Sequence, residues 1–188
     1  MNVGLYFGSF NPIHIGHCII ANHVLQHSPL QQVWFVVSPQ NPFKPAAGLL
    51  NEYHRLYLVQ EAISDVPGLN ATDIELHLPR PSYTADTLAY LAEKFPQHRF
   101  SLIMGSDGYQ NIHKWKNAEW LLKNYPLYVY LRPGFPVENP REGTTILTAP
   151  LLDISATAIR QAIKAGKDIH FLVPEKVRLE IEKNGYYR

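Results

Sequence analysis

The chain has 188 residues, 46% of them hydrophobic and 18% charged, with a formal net charge of +1. That is enough for one sizeable α/β core and short for two, too apolar for a disordered chain, and without the basic field that duplex nucleic acid requires. The single cysteine, Cys18, excludes an internal disulfide; no apolar run reaches bilayer length and no basic leader opens the chain, so a cytoplasmic protein without a membrane partner is expected.

The first apolar run, Val3 to Phe7, reads as a strand buried on both faces, and Val33 to Val37 as another. Between them, His14 to Gln26 has helical spacing at Ile15, Cys18, Ile19, Ala21, Val24 and Leu25. A second helix is expected from Glu52 to Ser64, its inner face or edge defined by Tyr53, Leu56, Tyr57, Val59, Gln60 and Ile63. Ile74 to Leu78 alternates and predicts a more exposed strand. Thr84 to Phe95 is a helix stopped by Pro96, and Phe100 to Met104 a third buried strand. Asn117 to Asn124 reads as a helix, Leu127 to Leu131 as a strand, and Thr145 to Leu147 as the last strand. Ser155 is a good N-cap for a helix from Ala156 to Ala165 that Gly166 ends. Pro174 and Glu175 open a final helix that closes at Asn184-Gly185.

Strand–helix alternation over the whole length predicts a Rossmann-like, doubly wound, mostly parallel sheet with flanking helices, as one domain over residues 1–188. Ligands of such sheets bind beyond the carboxyl ends of the strands. The segments in that position are Gly8 to His17, Ser38 to Leu50, Pro79 to Thr87, Gly105 to Trp115, Arg132 to Phe135 and Leu151 to Arg160. Ser38 to Leu50 is long and proline-rich, which makes it a candidate substrate wall.

No G-x-x-x-x-G-K-[ST] loop occurs, and no G-x-G-x-x-G follows the first strand. In their place stands Gly8-Ser9-Phe10-Asn11-Pro12-Ile13-His14-Ile15-Gly16-His17. A strand-to-helix turn of this kind aims backbone N–H groups and the positive end of a helix dipole at one point, where two imidazoles add donors for phosphate oxygens. Gly16, without a side chain, would let a ligand approach the backbone closely. The plainer alternative is a glycine turn whose histidines merely cap a helix. A second cluster, Ile154-Ser155-Ala156-Thr157-Ala158-Ile159-Arg160, gathers hydroxyls, N–H donors and an arginine at another helix start.

These two motifs resemble the (G/S)-x-F-x-P-x-H-x-G-H turn and the I-S-x-T-x-I-R helix start of the HxGH nucleotidyltransferase superfamily. Within it the chain resembles bacterial nicotinate-nucleotide adenylyltransferases over essentially its whole length. Ser38-Pro39-Gln40-Asn41-Pro42-Phe43-Lys44 is similar to that family's loop after the second strand, and Ser82-Tyr83-Thr84-Ala85-Asp86-Thr87 to its S-Y-T-x-D-T motif. Gly105-Ser106-Asp107 with Trp115, and Arg132-Pro133-Gly134, are similar to two more of its segments. Phe7 stands where many members have a first glycine, and Asn11 where aspartate is usual. Both departures are expected to be tolerated, because the turn and both histidines remain.

The resemblance implies transfer of the adenylyl group of ATP to nicotinate mononucleotide, giving deamido-NAD and pyrophosphate, with Mg²⁺ accompanying ATP. It implies catalytic roles for His14, His17 and Arg160, and ATP contacts from Gly8, Ser9, Phe10, Gly105, Asp107, Ser155 and Thr157. The mononucleotide would meet Asn41, Lys44, Thr84, Trp115 and Arg132. No resident metal site is expected, and a homo-oligomer is compatible with the sequence. Alternatives are a nicotinamide-mononucleotide or phosphopantetheine adenylyltransferase, a cytidylyltransferase, or a non-catalytic nucleotide sensor. Several residues are set aside: Trp120 and Cys18 as core, His23 and His27 as exposed helix residues rather than a metal pair, and Asp86 as a helix-start charge.

Overall fold

The computed structural model describes residues 1–40, 48–150 and 152–188. Six strands, β1 (Asn2–Gly8), β2 (Gln32–Val37), β3 (Leu69–Thr72), β4 (Arg99–Gly105), β5 (Leu127–Tyr130) and β6 (Thr144–Leu147), form one sheet in the order β3-β2-β1-β4-β5-β6. Every pairing is parallel; Leu5 of β1 faces Trp34 on one side and Leu102 on the other. The chain runs outward from β1 to β3 and then returns to place β4 beside β1, so the order reverses between those two strands. The carboxyl ends of β1 and β4 are therefore where this topology opens a crevice.

Seven helices cover the sheet: α1 (Ile15–Gln26), α2 (Glu52–Ile63), α3 (Thr84–Lys94), α4 (Ser106–Gln110), α5 (Ala118–Asn124), α6 (Ala156–Lys164) and α7 (Glu175–Asn184). Residues alternate between the two faces as the strand period demands. Tyr6, Phe35 and Ile103 pack on one side with Ile20 and Val24 of α1, Leu58 of α2, Ile159 of α6 and Val177 of α7. Leu5, Val36 and Leu102 pack on the other with Leu88 and Leu91 of α3 and Leu121 of α5. Two of the helices show their predicted start or stop signals directly: Ser155 Oγ accepts from Ala158 N–H at 3.1 Å, and Gly185 closes α7 at φ 65°.

Three expectations need correction. Ile74–His77 is a 3-10 turn, and the edge strand is the preceding Leu69–Thr72. The alternation Ile-Glu-Leu-His misleads because Glu75 turns inward: only 2% exposed, it accepts from Ser82 Oγ at 2.9 Å and from Thr87 Oγ1 at 2.8 Å. The inner face of α2 is Arg55, Leu58, Val59 and Ile63, whereas Tyr53 and Tyr57 are exposed. Trp120 is also exposed, lying edge-on to Tyr125, while its neighbour Leu121 enters the core.

The set-aside residues fall as follows. Cys18 is half-buried against the core, and burial pushes its thiol up to about 12. His23 is half-buried and His27 exposed, their rings stacked at 4.0 Å. Asp86 sits in the first turn of α3 and pairs with Lys116 at 2.8 Å.

Candidate active site

A cleft of about 660 Å³ opens at the carboxyl ends of the strands. It is built first from the turn that joins β1 to α1. Gly8 is required there because a Cβ would stand 2.7 Å from the Phe10 ring. Phe10 itself has φ 44°, a left-handed conformation uncommon for a bulky residue, and its buried ring is held edge-on between Tyr6, Phe35 and His17. The aromatic packing thus determines the path of the backbone that fronts the cleft.

His14 is the N-cap of α1, and its ring stacks on His17 at 3.6 Å. The His14 backbone N–H donates to His17 Nδ1 at 3.2 Å, which leaves the proton of neutral His17 on Nε2. His14 is 6% exposed, and its Nδ1 is buried without a hydrogen-bond partner among the described residues. Burial, with help from the positive charge of Arg132, lowers its pKa from 6.5 to about 4, so the ring is neutral at pH 7. Gly16 has a different use from the one expected: a Cβ there would meet the His14 ring at 3.1 and 3.2 Å, so the missing side chain makes room for the imidazole.

The second motif reaches the same cleft. Arg160 Nη1 donates to the Asn11 carbonyl at 2.7 Å and Nη2 to Thr157 Oγ1 at 3.3 Å, which locks the start of α6 to the turn after β1. Across the cleft, Asp107 at the start of α4 pairs with Arg132 at 3.0 Å. Gly105 permits that arrangement, since a Cβ would lie 2.4 Å from Asp107 Oδ1. The Arg132 backbone N–H is in turn bound by Ser106 Oγ at 2.8 Å.

Of the predicted site residues, Gly8, Ser9, Phe10, His14, His17, Thr84, Gly105, Asp107, Trp115, Arg132, Ser155, Thr157 and Arg160 all line this one cleft. Asn41 and Lys44 lie outside the described residues. Sequence reasoning missed Tyr6, Tyr130 and Glu75, which also line it; Tyr6 and Tyr130 approach hydroxyl to hydroxyl at 3.4 Å. It also missed Arg55 beneath the turn. The two tyrosines occupy strand positions that read as ordinary core, and the one available signal was a polar hydroxyl in each apolar run.

Asn11 has a role that its departure from aspartate makes visible. Its Nδ2 donates to the Gly48 carbonyl at 3.0 Å and its Oδ1 accepts from Leu50 N–H at 3.0 Å. An amide serves both partners, where an ionised carboxylate could only accept.

Residues 5–162 match the cytidylyltransferase-like family model. A chain from Flavobacterium psychrophilum named "Probable nicotinate-nucleotide adenylyltransferase" is 49% identical over all of both chains. A protein of the same name from Cytophaga hutchinsonii is 49% identical over all of this chain and 98% of its own. This chain belongs to the nicotinate-nucleotide adenylyltransferase family. The fold agrees: Plasmodium falciparum nicotinic acid mononucleotide adenylyltransferase complexed with NaAD superposes with a TM-score of 0.83 at 22% identity, covering 99% of this chain and 97% of that one. The same enzyme complexed with APC gives 0.82 at 21% identity, covering 99% and 96%. In family terms, the two motifs that meet through Arg160 and Asn11 are the HxGH turn and the I-S-x-T-x-I-R helix start.

Proposed function

We propose that this chain joins ATP and nicotinate mononucleotide into deamido-NAD, releasing pyrophosphate, as a step of NAD biosynthesis. The observation that carries the reading is the convergence of His14, His17, Thr157 and Arg160 on one cleft at the strand-order reversal. The attacking group is the mononucleotide's 5′-phosphate, already ionised at neutral pH, and the centre attacked is the α-phosphorus of ATP. No strong base is needed, so the chemistry is positioning and stabilisation of charge on the leaving pyrophosphate.

Each group has work suited to its geometry. His17, with its proton on Nε2, donates to phosphate oxygen, and neutral His14 stacked on it adds a second imidazole. Ser155, Thr157 and Arg160 serve the outer phosphates at the start of α6, where helix dipole and guanidinium act together. Gly8, Ser9 and Phe10 shape the wall against the α-phosphate, and Asp107 faces the ribose. Thr84, Trp115 and Arg132 form the mononucleotide side, Trp115 stacking on the pyridine ring and Arg132 meeting its phosphate. Asn41 and Lys44 are assigned to the same side by family resemblance alone.

Mg²⁺ belongs to this reaction as part of the nucleotide substrate, where it would spread charge on the leaving group. Among the described residues no three His, Cys, Asp or Glu side chains gather to hold a metal. The two carboxylates of the cleft are engaged, Asp107 by Arg132 and Glu75 by two hydroxyls. No helix among the described residues is long and apolar enough to cross a membrane. The cytoplasm, where ATP is abundant, suits a single free thiol and this substrate pair.

A pyrophosphate-release assay with ATP and either nicotinate mononucleotide, nicotinamide mononucleotide or phosphopantetheine tests the reading. Release is expected with nicotinate mononucleotide and is expected to fall by about 100-fold or more in His17→Ala, as for loss of a donor to a developing charge. Release with phosphopantetheine alone would overturn it, and an unchanged kcat in His17→Ala would remove that histidine from the mechanism.

A further inference from the structure

Among the described residues, Arg55 is the largest side chain that is fully buried. No carboxylate pairs with it among the described residues, and Glu52, one turn before it, is bound instead to Arg80 at 2.6 Å. A buried guanidinium is tolerated only when its donors are met. Here they are met by main-chain carbonyls from three separate segments. Nε donates to Leu50 O at 2.8 Å, Nη1 to Ser38 O at 2.9 Å and also to Ser9 O, and Nη2 to Pro39 O at 3.1 Å.

Ser9 lies in the phosphate turn after β1, Ser38 and Pro39 leave β2, and Leu50 precedes the N-cap of α2. Leu50 is shared: its carbonyl takes Arg55, and its N–H goes to Asn11 Oδ1. Asn11 in turn accepts Arg160 at its carbonyl. A continuous chain of hydrogen bonds therefore runs from the start of α6, through Asn11 and Leu50, to Arg55 and back to the turn at Ser9. Both phosphate motifs and the segment leaving β2 hang on one planar fork. The charged donor at Ser9 O also polarises the Ser9–Phe10 peptide, which strengthens the Phe10 N–H as a donor.

We propose that Arg55 is a positioning residue for adenylyl transfer, locking the Gly8–Phe10 turn to the segment leaving β2 so that the two substrates are held in line. This rests on the adenylyltransferase reading above. Lysine retains the charge but not the fork: its three donors radiate from one nitrogen, too few and too closely set for the four carbonyls that the guanidinium meets.

The test compares wild type with Arg55→Lys, well below the melting temperature of each. Arg55→Lys is expected to keep its circular dichroism and to bind ATP within about threefold by calorimetry, while kcat with nicotinate mononucleotide falls by about tenfold or more, as misaligned reactants require. A folded Arg55→Lys that melts earlier yet keeps kcat within about twofold of wild type would show an ordinary structural residue and overturn the proposal. If Arg55→Lys fails to fold, the wild-type ¹⁵Nε–¹H resonance of Arg55 decides. It is expected to exchange slowly, to shift on adding ATP and to shift again on adding nicotinate mononucleotide; a resonance unmoved by both overturns the proposal. Lack of pyrophosphate release by the wild-type chain would overturn the adenylyltransferase reading itself, which sets that failure apart from a failure confined to the variant.

Discussion

His14 shows how burial, aided by a nearby positive charge, can set the chemical state of a residue. Its ring is enclosed by the turn and stacked on His17, with Nδ1 unpartnered, so a proton there would be a poorly solvated charge. The folded-state value near 4 lies below the ordinary 6.5. The unfolded chain therefore binds the proton first as pH falls. His14's contribution to stability is complete above about pH 6.5, shrinks as pH drops, and is gone below about pH 4, a loss of roughly 3 kcal/mol. Urea midpoints measured between pH 7 and pH 4 should show this slope, and His14→Asn should flatten it; equal slopes in both proteins would refute the assignment. That the two histidines would lie side by side was legible from their spacing at a helix start. That one of them is driven neutral was not, because the sequence does not reveal how deeply a turn buries its own side chains.

Among the elements, the link between β1 and α1 depends most on individual atoms. Gly8→Ala places a methyl group 2.7–3.0 Å from the Phe10 ring, which is wedged among Tyr6, Phe35 and His17 and has nowhere to go. The substitution should cost about 1–3 kcal/mol and should lower kcat/KM by about tenfold or more through the displaced turn. Calorimetry and steady-state rates check the two separately, and a Gly8→Ala protein of wild-type stability would show that Phe10 has room to move. Most elements were legible, because β1, β2, β4 and β5 are short, largely apolar runs and several helices carry their own start and stop signals. Two of the failures share one cause. Glu75 and Arg55 are charged residues that face inward, and pattern reading puts charge outside. Glu75 disguised a 3-10 turn as an alternating strand, and Arg55 belongs to an inner face of α2 that keeps the predicted Val59 and Ile63 but leaves Tyr53 and Tyr57 outside.

The molecule as a whole is organised by one reversal of strand order. Because β4 returns beside β1, the loops that carry the first motif and the Gly105–Asp107 segment come to face each other, and α6 closes the third side through Arg160. The expectation that residues 1–188 form one domain has a direct thermal test. Calorimetry should then show one cooperative transition, raised by ATP at 100-fold excess over its Kd by about 2.7 kcal/mol of stability. Two transitions, of which ATP moved only one, would argue for two domains.

The amino-acid sequence by itself determined the parallel α/β class, the two motifs at helix starts and the family they belong to. Each depends on residue identity at short spacing, which the chain carries wherever it folds. Only the tertiary structure decided that Asn11 bridges Gly48 and Leu50, that Asp107 meets Arg132, that Gly16 makes room for His14, and that Arg55 ties three loops together. Most of these contacts join residues far apart in the chain, and several end on backbone carbonyls, which every residue possesses and no residue type announces. The physical reason is plain: a side chain's partner is set by where the sheet brings the backbone, and that position is a property of the whole fold.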